Sequence, residues 1–247
     1  WVVKPVIRGQ DAKVFILDFF GFHKLRNKSF NVPEKRFLTA YGGSPANTFL
    51  GYYLPPRRLG LGAAAAAGGS TASASVGGGM VRKNQGIIWG KDPKHYEGAH
   101  KVKMLRAIAD LVPLVSAASS PVFQHPNIQW VGHRTRDQWN QLLSESKFMI
   151  GLGDPLLGPS AIDAVSHGCV YINPVYEHPV RDAHFSSQHP YAMERIGAPR
   201  VCSVKIKDLA GVRKCVQGAL ALNLEPTVLE DFTEEAYLQR VKAIFDL

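Results

Sequence analysis

From about residue 84 onward, short apolar runs alternate with stretches in which apolar residues recur every three or four positions. The short runs predict buried strands at 86–90, 114–115, 128–132, 147–151, 170–172 and 201–204. The helical spacing predicts helices over 99–112, from Thr135, from Pro159, over 209–222 and over 234–246. Strands that alternate with helices form a parallel sheet covered by helices on both faces. The sequence therefore predicts a Rossmann-like α/β domain over residues 84–247.

Local signals support these helix boundaries. Thr135 followed by Gln138 predicts a capping box that opens one helix. Pro159 falls where a first helical turn tolerates proline, and Gly168 is suited to end the helix that follows.

The first third of the chain has a weaker pattern. Residues 14–17 predict a strand, whereas prolines and paired glycines predict mainly irregular structure over 31–53. Residues 60–79 are small and uncharged, so they bury too little surface to offset the entropy of ordering them. We predict a connecting segment over 1–58, a flexible low-complexity insert over 59–83 and the Rossmann-like lobe over 84–247.

Composition excludes two protein classes and leaves the kind of partner open. The chain is 45% hydrophobic and 20% charged, which is unlike a disordered chain or a membrane bundle. Its net charge of +9 is concentrated in residues 1–150, which favours a polyanion, a membrane surface or a phosphorylated ligand. The chain opens on Trp1 rather than Met, so an upstream signal or anchor segment is compatible with it.

The three cysteines do not predict a metal site. Cys169, Cys202 and Cys215 show no CxxC spacing, which argues against zinc. They could be buried small hydrophobic residues, or one disulfide and a spare thiol, and the sequence assigns no pairing.

The strongest candidate for chemistry is the loop at 151–160, which contains three glycines, follows a strand and opens a helix. Backbone N–H groups at a helix N-terminus suit a diphosphate, although glycines there can also serve turn geometry alone. Asp163, further along that helix, could accept hydrogen bonds from a ribose diol or be an ordinary solvated carboxylate. The turn at Gly132, His133 and Arg134 could present backbone groups to a nucleotide base. No triad order or HExxH motif supports a hydrolase or a metal enzyme.

Several blocks, in order along the chain, resemble the C-terminal part of glycosyltransferase family 18, the α-1,6-mannosylglycoprotein 6-β-N-acetylglucosaminyltransferases. The blocks are Leu17–Gly21, Pro45–Tyr52, Trp89–Lys91, Glu145–Gly153, Gly158–Pro159, Asp163–Ala164, Gly168–Cys169, Ile172–Pro174 and Ser187–Ala192.

This resemblance implies the donor-binding lobe of a GT-B fold, in which two Rossmann-like lobes enclose a sugar nucleotide. It implies inverting, metal-independent transfer of GlcNAc from UDP-GlcNAc to the 6-position of a mannose on N-glycans. The partners would be a UDP-sugar donor and an N-glycan acceptor, with no cofactor and no nucleic acid. The location would be the Golgi lumen, as part of a type II membrane protein. The donor-binding residues so implied are Lys91, Gly132, His133, Gly153, Leu157, Gly158, Pro159, Ser160, Asp163 and Arg181.

The sequence departs from the family at the donor site. Leu157 stands where the family has a glutamate, Asp163 replaces a second glutamate, and Arg181 is a stand-in for family lysines. The family's carboxylate base lies upstream of anything that matches Trp1, so we expect these 247 residues alone to be inactive. The alternatives are a noncatalytic module that binds a sugar nucleotide or glycan, and a basic nucleic-acid-binding protein.

Overall fold

The computed structural model describes residues 15–17, 34–42, 47–55, 82–152, 156–180 and 185–245. The strands are β1 (Ile16–Leu17), β2 (Phe37–Thr39), β3 (Thr48–Phe49), β4 (Lys83–Trp89), β5 (Leu114–Ser116), β6 (Ile128–Trp130), β7 (Ser146–Gly151), β8 (Val170–Val180), β9 (Phe185–Ser187) and β10 (Val201–Lys205). The helices are α1 (Ala99–Ala109), α2 (Arg136–Glu145), α3 (Ser160–Ser166), α4 (Leu209–Ala221) and α5 (Glu234–Phe245).

The chain forms two compact units. One contains Leu54–Thr233, and the other combines Trp1–Tyr53 with Glu234–Leu247. Residues 56–81, which include most of the predicted low-complexity insert, lie outside the described residues. None of the described helices is long and apolar enough to cross a membrane.

The larger unit contains a sheet in the strand order β10-β8-β7-β4-β5-β6, with β9 antiparallel to β8. The six strands of that path are parallel to their neighbours. From the β6 edge, their order of appearance in the unit is 3-2-1-4-5-6, which is the doubly wound order of Rossmann domains. The predicted fold class is confirmed.

Successive residues in the central strands face opposite sides of the sheet, which explains their continuous apolar runs. Ile88, Ile150 and Ile172 pack in one core with residues of α1 and α4. Ile87, Met149 and Tyr171 pack in the other with residues of α2 and α3. Helices therefore cover both faces, as the alternation of strands and helices predicts.

Two of the predicted boundary signals have the expected geometry. The Thr135 hydroxyl accepts from the Gln138 N–H at 3.3 Å, and the Gln138 side chain accepts from the Thr135 N–H at 3.1 Å, completing the capping box. Gly168, after α3, has a φ of +83°, a conformation that glycine adopts without strain.

Strand β8 is longer than predicted. It continues past Ile172 to Val180 and pairs with β9, which the sequence did not indicate. Prolines and polar residues follow Ile172, so the run lacks the apolar continuity of the central strands. The extension reaches this length because β9 and β10 both pair with it.

The cysteine alternatives are resolved by position. Cys202 in β10 and Cys215 in α4 form a disulfide with a Cα–Cα distance of 5.9 Å. Cys169 is a buried thiol whose pKa is raised by burial to about 12.

The smaller unit contains a parallel three-stranded sheet in the order β1-β2-β3. The strand predicted over 14–17 appears as β1, while β2 and β3 lie where mainly irregular structure was predicted. Helix α5 lies in this unit, although its sequence position placed it in the predicted lobe over 84–247. Arg240 of α5 donates to the Leu50 carbonyl at 2.8 Å, and its guanidinium lies 4.3 Å from the centre of the Phe49 ring. The apolar stripe of α5 indicates a helix but does not identify the surface it packs against.

Candidate functional site

A cavity of about 370 Å³ lies at the carboxyl ends of the central strands. Open α/β sheets bind ligands outside these ends, where the strand order reverses, and the reversal here falls between β4 and β7. The lining residues come from the segments after β4, β5 and β6 and from the first turns of α2 and α3. They are Trp89, Lys91, Ala117, Ser119, His133, Arg134, Thr135, Arg136, Trp139 and Ser160.

Two tryptophans give the cavity an apolar wall. Trp89 ends β4, and Trp139 lies one turn into α2. The Trp89 side chain is buried, and its indole N–H has no hydrogen-bond acceptor within the part of the chain that is described. Buried polar groups are normally satisfied, so an ordered water or a ligand oxygen is the expected partner of this donor.

The remaining chemistry of the cavity is cationic. Lys91 and Arg134 form no ion pair with any residue in the described ranges. Arg136 is paired with Asp163, its Nη2 lying 3.0 Å from the Asp163 Oδ1. No acidic residue occurs among the described residues that line the cavity. A site of this charge suits a dianion such as a diphosphate.

The loop between β7 and α3 is held from the side by the segment after β9. The Leu157 N–H donates to the Gln188 carbonyl at 3.1 Å. Leu157 has a φ of +55°, which is uncommon for a residue with a side chain, and it is buried. Such conformations persist where the surroundings impose them, and they are frequent near functional sites.

The structure brings some of the predicted site residues together and separates others from them. Lys91, His133 and Ser160 line the cavity, and Gly132 directly precedes His133 with a φ of +69°. Leu157, Gly158 and Pro159 form the end of the loop that leads to Ser160. Asp163 is 2% exposed and is not among the lining residues. Gly153 and Arg181 lie outside the described residues.

The sequence did not identify two of the lining residues, Arg136 and Trp139, as candidates, and it indicated Arg134 only as part of the turn after β6. Arg134 and Arg136 flank the N-cap Thr135, so their position next to a helix start at the carboxyl end of β6 was the available signal. Trp139 lies on the apolar stripe of α2, and it packs against one core as well as lining the cavity.

His189 is a buried histidine beside the loop between β7 and α3. Its backbone N–H donates to the Asn173 Oδ1 at 3.0 Å, and its Nδ1 accepts from the Ala192 N–H at 3.1 Å. Burial lowers the pKa of His189 to about 3. Hydrogen bonds with the backbone, including that of Gly158, act in the opposite direction but are the smaller effect. The imidazole is therefore neutral at physiological pH. The backbone of His189 is hydrogen-bonded to Asn173 of β8, and its ring is hydrogen-bonded to the backbone of Ala192.

We expect stability to fall in acid because of His189. Its folded-state pKa of about 3 lies below the unfolded value near 6.5, so the unfolded state binds more protons between these two values. The contribution of His189 to the free energy of unfolding is fully present above pH 6.5 and decreases as the pH falls toward 3. At pH 5 it is lower by about 2 kcal/mol. Urea denaturation of the unaltered chain and of His189→Gln at pH 7.5 and pH 5 measures the difference.

The exposed His100 gives the control for this measurement. His100→Gln should retain the pH dependence, whereas His189→Gln should flatten it. An equal loss between pH 7.5 and pH 5 in all three proteins would show that other groups cause the acid sensitivity.

In the part of the chain that the structure covers, no three His, Cys, Asp or Glu residues lie close enough to hold a metal ion.

Comparison with known proteins identifies relatives that match most of the sequence. The profile of glycosyltransferase family 18 matches residues 19–246. The alpha-1,6-mannosylglycoprotein 6-beta-N-acetylglucosaminyltransferase A of Homo sapiens is 24% identical over 242 residues, covering 91% of this chain and 30% of that protein. The alpha-1,6-mannosylglycoprotein 6-beta-N-acetylglucosaminyltransferase of Caenorhabditis elegans is 25% identical over 282 residues, covering 95% of this chain and 38% of that protein. The chain thus spans about a third of the length of these relatives.

Among solved structures, the glycotransferase of kitacinnamycin is 13% identical, with a TM-score of 0.44 over 85% of this chain and 49% of that one. The strand order described above, and not this likeness, defines the fold.

Proposed function

This chain belongs to glycosyltransferase family 18, and from that premise we propose that it is the donor-binding part of a GT-B N-acetylglucosaminyltransferase that uses UDP-GlcNAc. The proposed acceptor is the 6-position of a mannose on an N-glycan, as the names of the curated relatives suggest.

The observation that carries the proposal is the cation-lined cavity at the reversal of strand order. Lys91 and Arg134 are without anionic partners among the described residues and would balance the two charges of a diphosphate. Trp89 and Trp139 provide apolar surface for the uridine or the sugar ring. The size of the cavity falls in the range of small-molecule sites.

The proposed reaction is an inverting displacement at the anomeric carbon. The mannose hydroxyl attacks this carbon, the bond to the β-phosphate oxygen breaks, and UDP leaves with the bonding electron pair. A carboxylate base outside these 247 residues takes the hydroxyl proton. Lys91 and Arg134 stabilise the charge that develops on the leaving diphosphate. We propose that these two cations take the place of a metal ion.

We also propose that the protein works in the lumen of the Golgi. The Cys202–Cys215 disulfide supports an oxidising compartment, since disulfides are rare in reducing ones.

Calorimetry with UDP-GlcNAc and UDP tests this proposal. The chain should bind both ligands, with the same affinity in EDTA as in magnesium, and should transfer no GlcNAc to a mannose-containing acceptor on its own. Absence of UDP binding would overturn the donor-site proposal, a requirement for magnesium would overturn metal independence, and measurable transfer would place a base within the 247 residues.

A noncatalytic sugar-nucleotide-binding module is the second candidate. It is favoured by the lack of an acidic residue among the described residues that line the cavity. Donor binding without transfer by the full-length polypeptide would select this candidate over the enzyme.

A further inference from the structure

Arg136 and Asp163 form an unequal ion pair at the edge of the cavity. Arg136 is the first residue of α2, and Asp163 lies in the first turn of α3. The Asp163 side chain is only 3% exposed, whereas that of Arg136 is 46% exposed. Arg136 lines the cavity, and Asp163 is not among the lining residues. The carboxylate is thus behind the guanidinium, and the guanidinium is the member of the pair that a ligand would meet.

This burial determines what the pair can do. A buried carboxylate is costly unless a cation and hydrogen bonds compensate it, so Asp163 restrains the guanidinium through the 3.0 Å contact between Nη2 and Oδ1. The guanidinium makes no other hydrogen bond with the described residues. Because a guanidinium has five N–H donors, donors remain for a ligand after this contact is made.

A restrained guanidinium and a free cation recognise phosphate differently. Lys91 is exposed and unpaired among the described residues, so it supplies charge with little geometric constraint. Arg136 is a planar donor group in a fixed place, which suits paired hydrogen bonds to phosphate oxygens.

Resting on the proposed function, we propose that Arg136 binds the diphosphate of the donor and that Asp163 is a positioning residue that acts through Arg136. Asp163 then does not accept the ribose hydroxyls. Arg136, positioned by Asp163, thus adds to the selectivity that Lys91 and Arg134 give the cavity for diphosphates over the uncharged nucleoside.

Affinities for UDP, inorganic pyrophosphate and uridine separate the two roles. Arg136→Ala should weaken UDP and pyrophosphate binding by about tenfold to a hundredfold and change uridine binding by less than about twofold. Asp163→Asn keeps the arginine but removes its ionic anchor, so UDP should weaken by about threefold to tenfold, again with uridine unchanged. Arg136→Lys should recover part of the UDP affinity because it keeps the charge and loses the planar group.

Arg136→Ala removes the arginine that compensates the buried charge of Asp163, and the double variant Arg136→Ala/Asp163→Asn removes that charge as well. If Asp163 acts through Arg136, the double variant should bind UDP no more weakly than Arg136→Ala alone. The exposed Arg213 on α4 gives the matched control, and Arg213→Ala should leave all three affinities unchanged.

The outcomes distinguish this inference from the function on which it rests. Unchanged UDP affinity in the folded double variant overturns the role of Arg136. Weakened uridine binding in Asp163→Asn overturns the positioning role and restores Asp163 as a ribose acceptor. If the unaltered chain does not bind UDP, the proposed donor fails, while pyrophosphate binding that depends on Arg136 would still support the anion site, and its absence would overturn both.

Discussion

Replacing Lys91 and Arg134 together by alanine is expected to weaken UDP-GlcNAc binding by a factor of about 100 or more. Both side chains line the cavity, and neither has an ion-pair partner among the described residues, so their charge is available to the diphosphate. Hydrogen bonds to charged groups contribute about 1.5 to 3 kcal/mol each, and two such contacts correspond to at least two powers of ten in affinity. Calorimetric titration with UDP-GlcNAc measures the loss.

The control for this variant removes the same charge elsewhere. Lys103 on α1 and Arg213 on α4 are both exposed and do not line the cavity. Lys103→Ala/Arg213→Ala therefore lowers the net charge equally and should keep its affinity. If both double variants weaken binding to the same extent, and only at low salt, the overall field of the protein rather than the cavity attracts the donor.

Gly168→Ala is expected to lower the free energy of unfolding by about 3 kcal/mol or more, because backbone strain and overpacking act together. Gly168 has a φ of +83°, which a residue with a side chain rarely adopts. A Cβ atom there would lie 2.3 Å from the Leu224 carbonyl oxygen and 2.5 Å from the Arg82 Nη2. Arg82 cannot simply move away, because it is buried and donates to the carbonyls of Leu143, Ser146 and His167. Urea denaturation measures the effect.

At Gly218 in α4 the same substitution is expected to have the opposite effect on the free energy of unfolding. It is exposed, and a Cβ atom there would meet no other atom within 4 Å. Gly218→Ala should raise the free energy of unfolding by up to about 1 kcal/mol, since alanine is the better helix former. Destabilisation of similar size in both variants would mean that neither contact nor φ distinguishes the two sites.

The sequence was most informative where one local signal determines one structural feature. The run that forms β7 and the stripe that forms α4 each matched the observed element to within one residue. The capping box at Thr135 depends only on neighbouring residues, so it also could be predicted. The extension of β8, the strands β2 and β3, and the position of α5 depend on partners distant in the chain, about which local patterns carry no information.

The sequence predicts where in the fold the candidate site lies better than it predicts which residues line it. The loops at the carboxyl ends follow from the strand pattern, and Lys91, His133 and Ser160 line the cavity there. The pairing of Arg136 with Asp163 joins two helices that are separated by strand β7 in the chain. Which of these two side chains is buried depends on how α2 and α3 pack, and no local spacing indicates it. The ligand-binding roles of all the predicted site residues stay predictions, and Gly153 and Arg181 lie outside the described residues.

The return of α5 to the N-terminal unit makes that unit discontinuous in the chain, while the larger unit is one uninterrupted stretch. An exchange of the continuous segment Leu54–Thr233 between relatives would therefore transfer the larger unit complete. The smaller unit has no such freedom, because Arg240 contacts Leu50 and Phe49 from the other end of the sequence. A single exchange point at residue 84 would take α5 from one parent and its partners Phe49 and Leu50 from the other. Two exchange points, at 54 and 233, would take both segments of the smaller unit from the same parent. Recombination within this family is thus expected to favour the borders near 54 and 233.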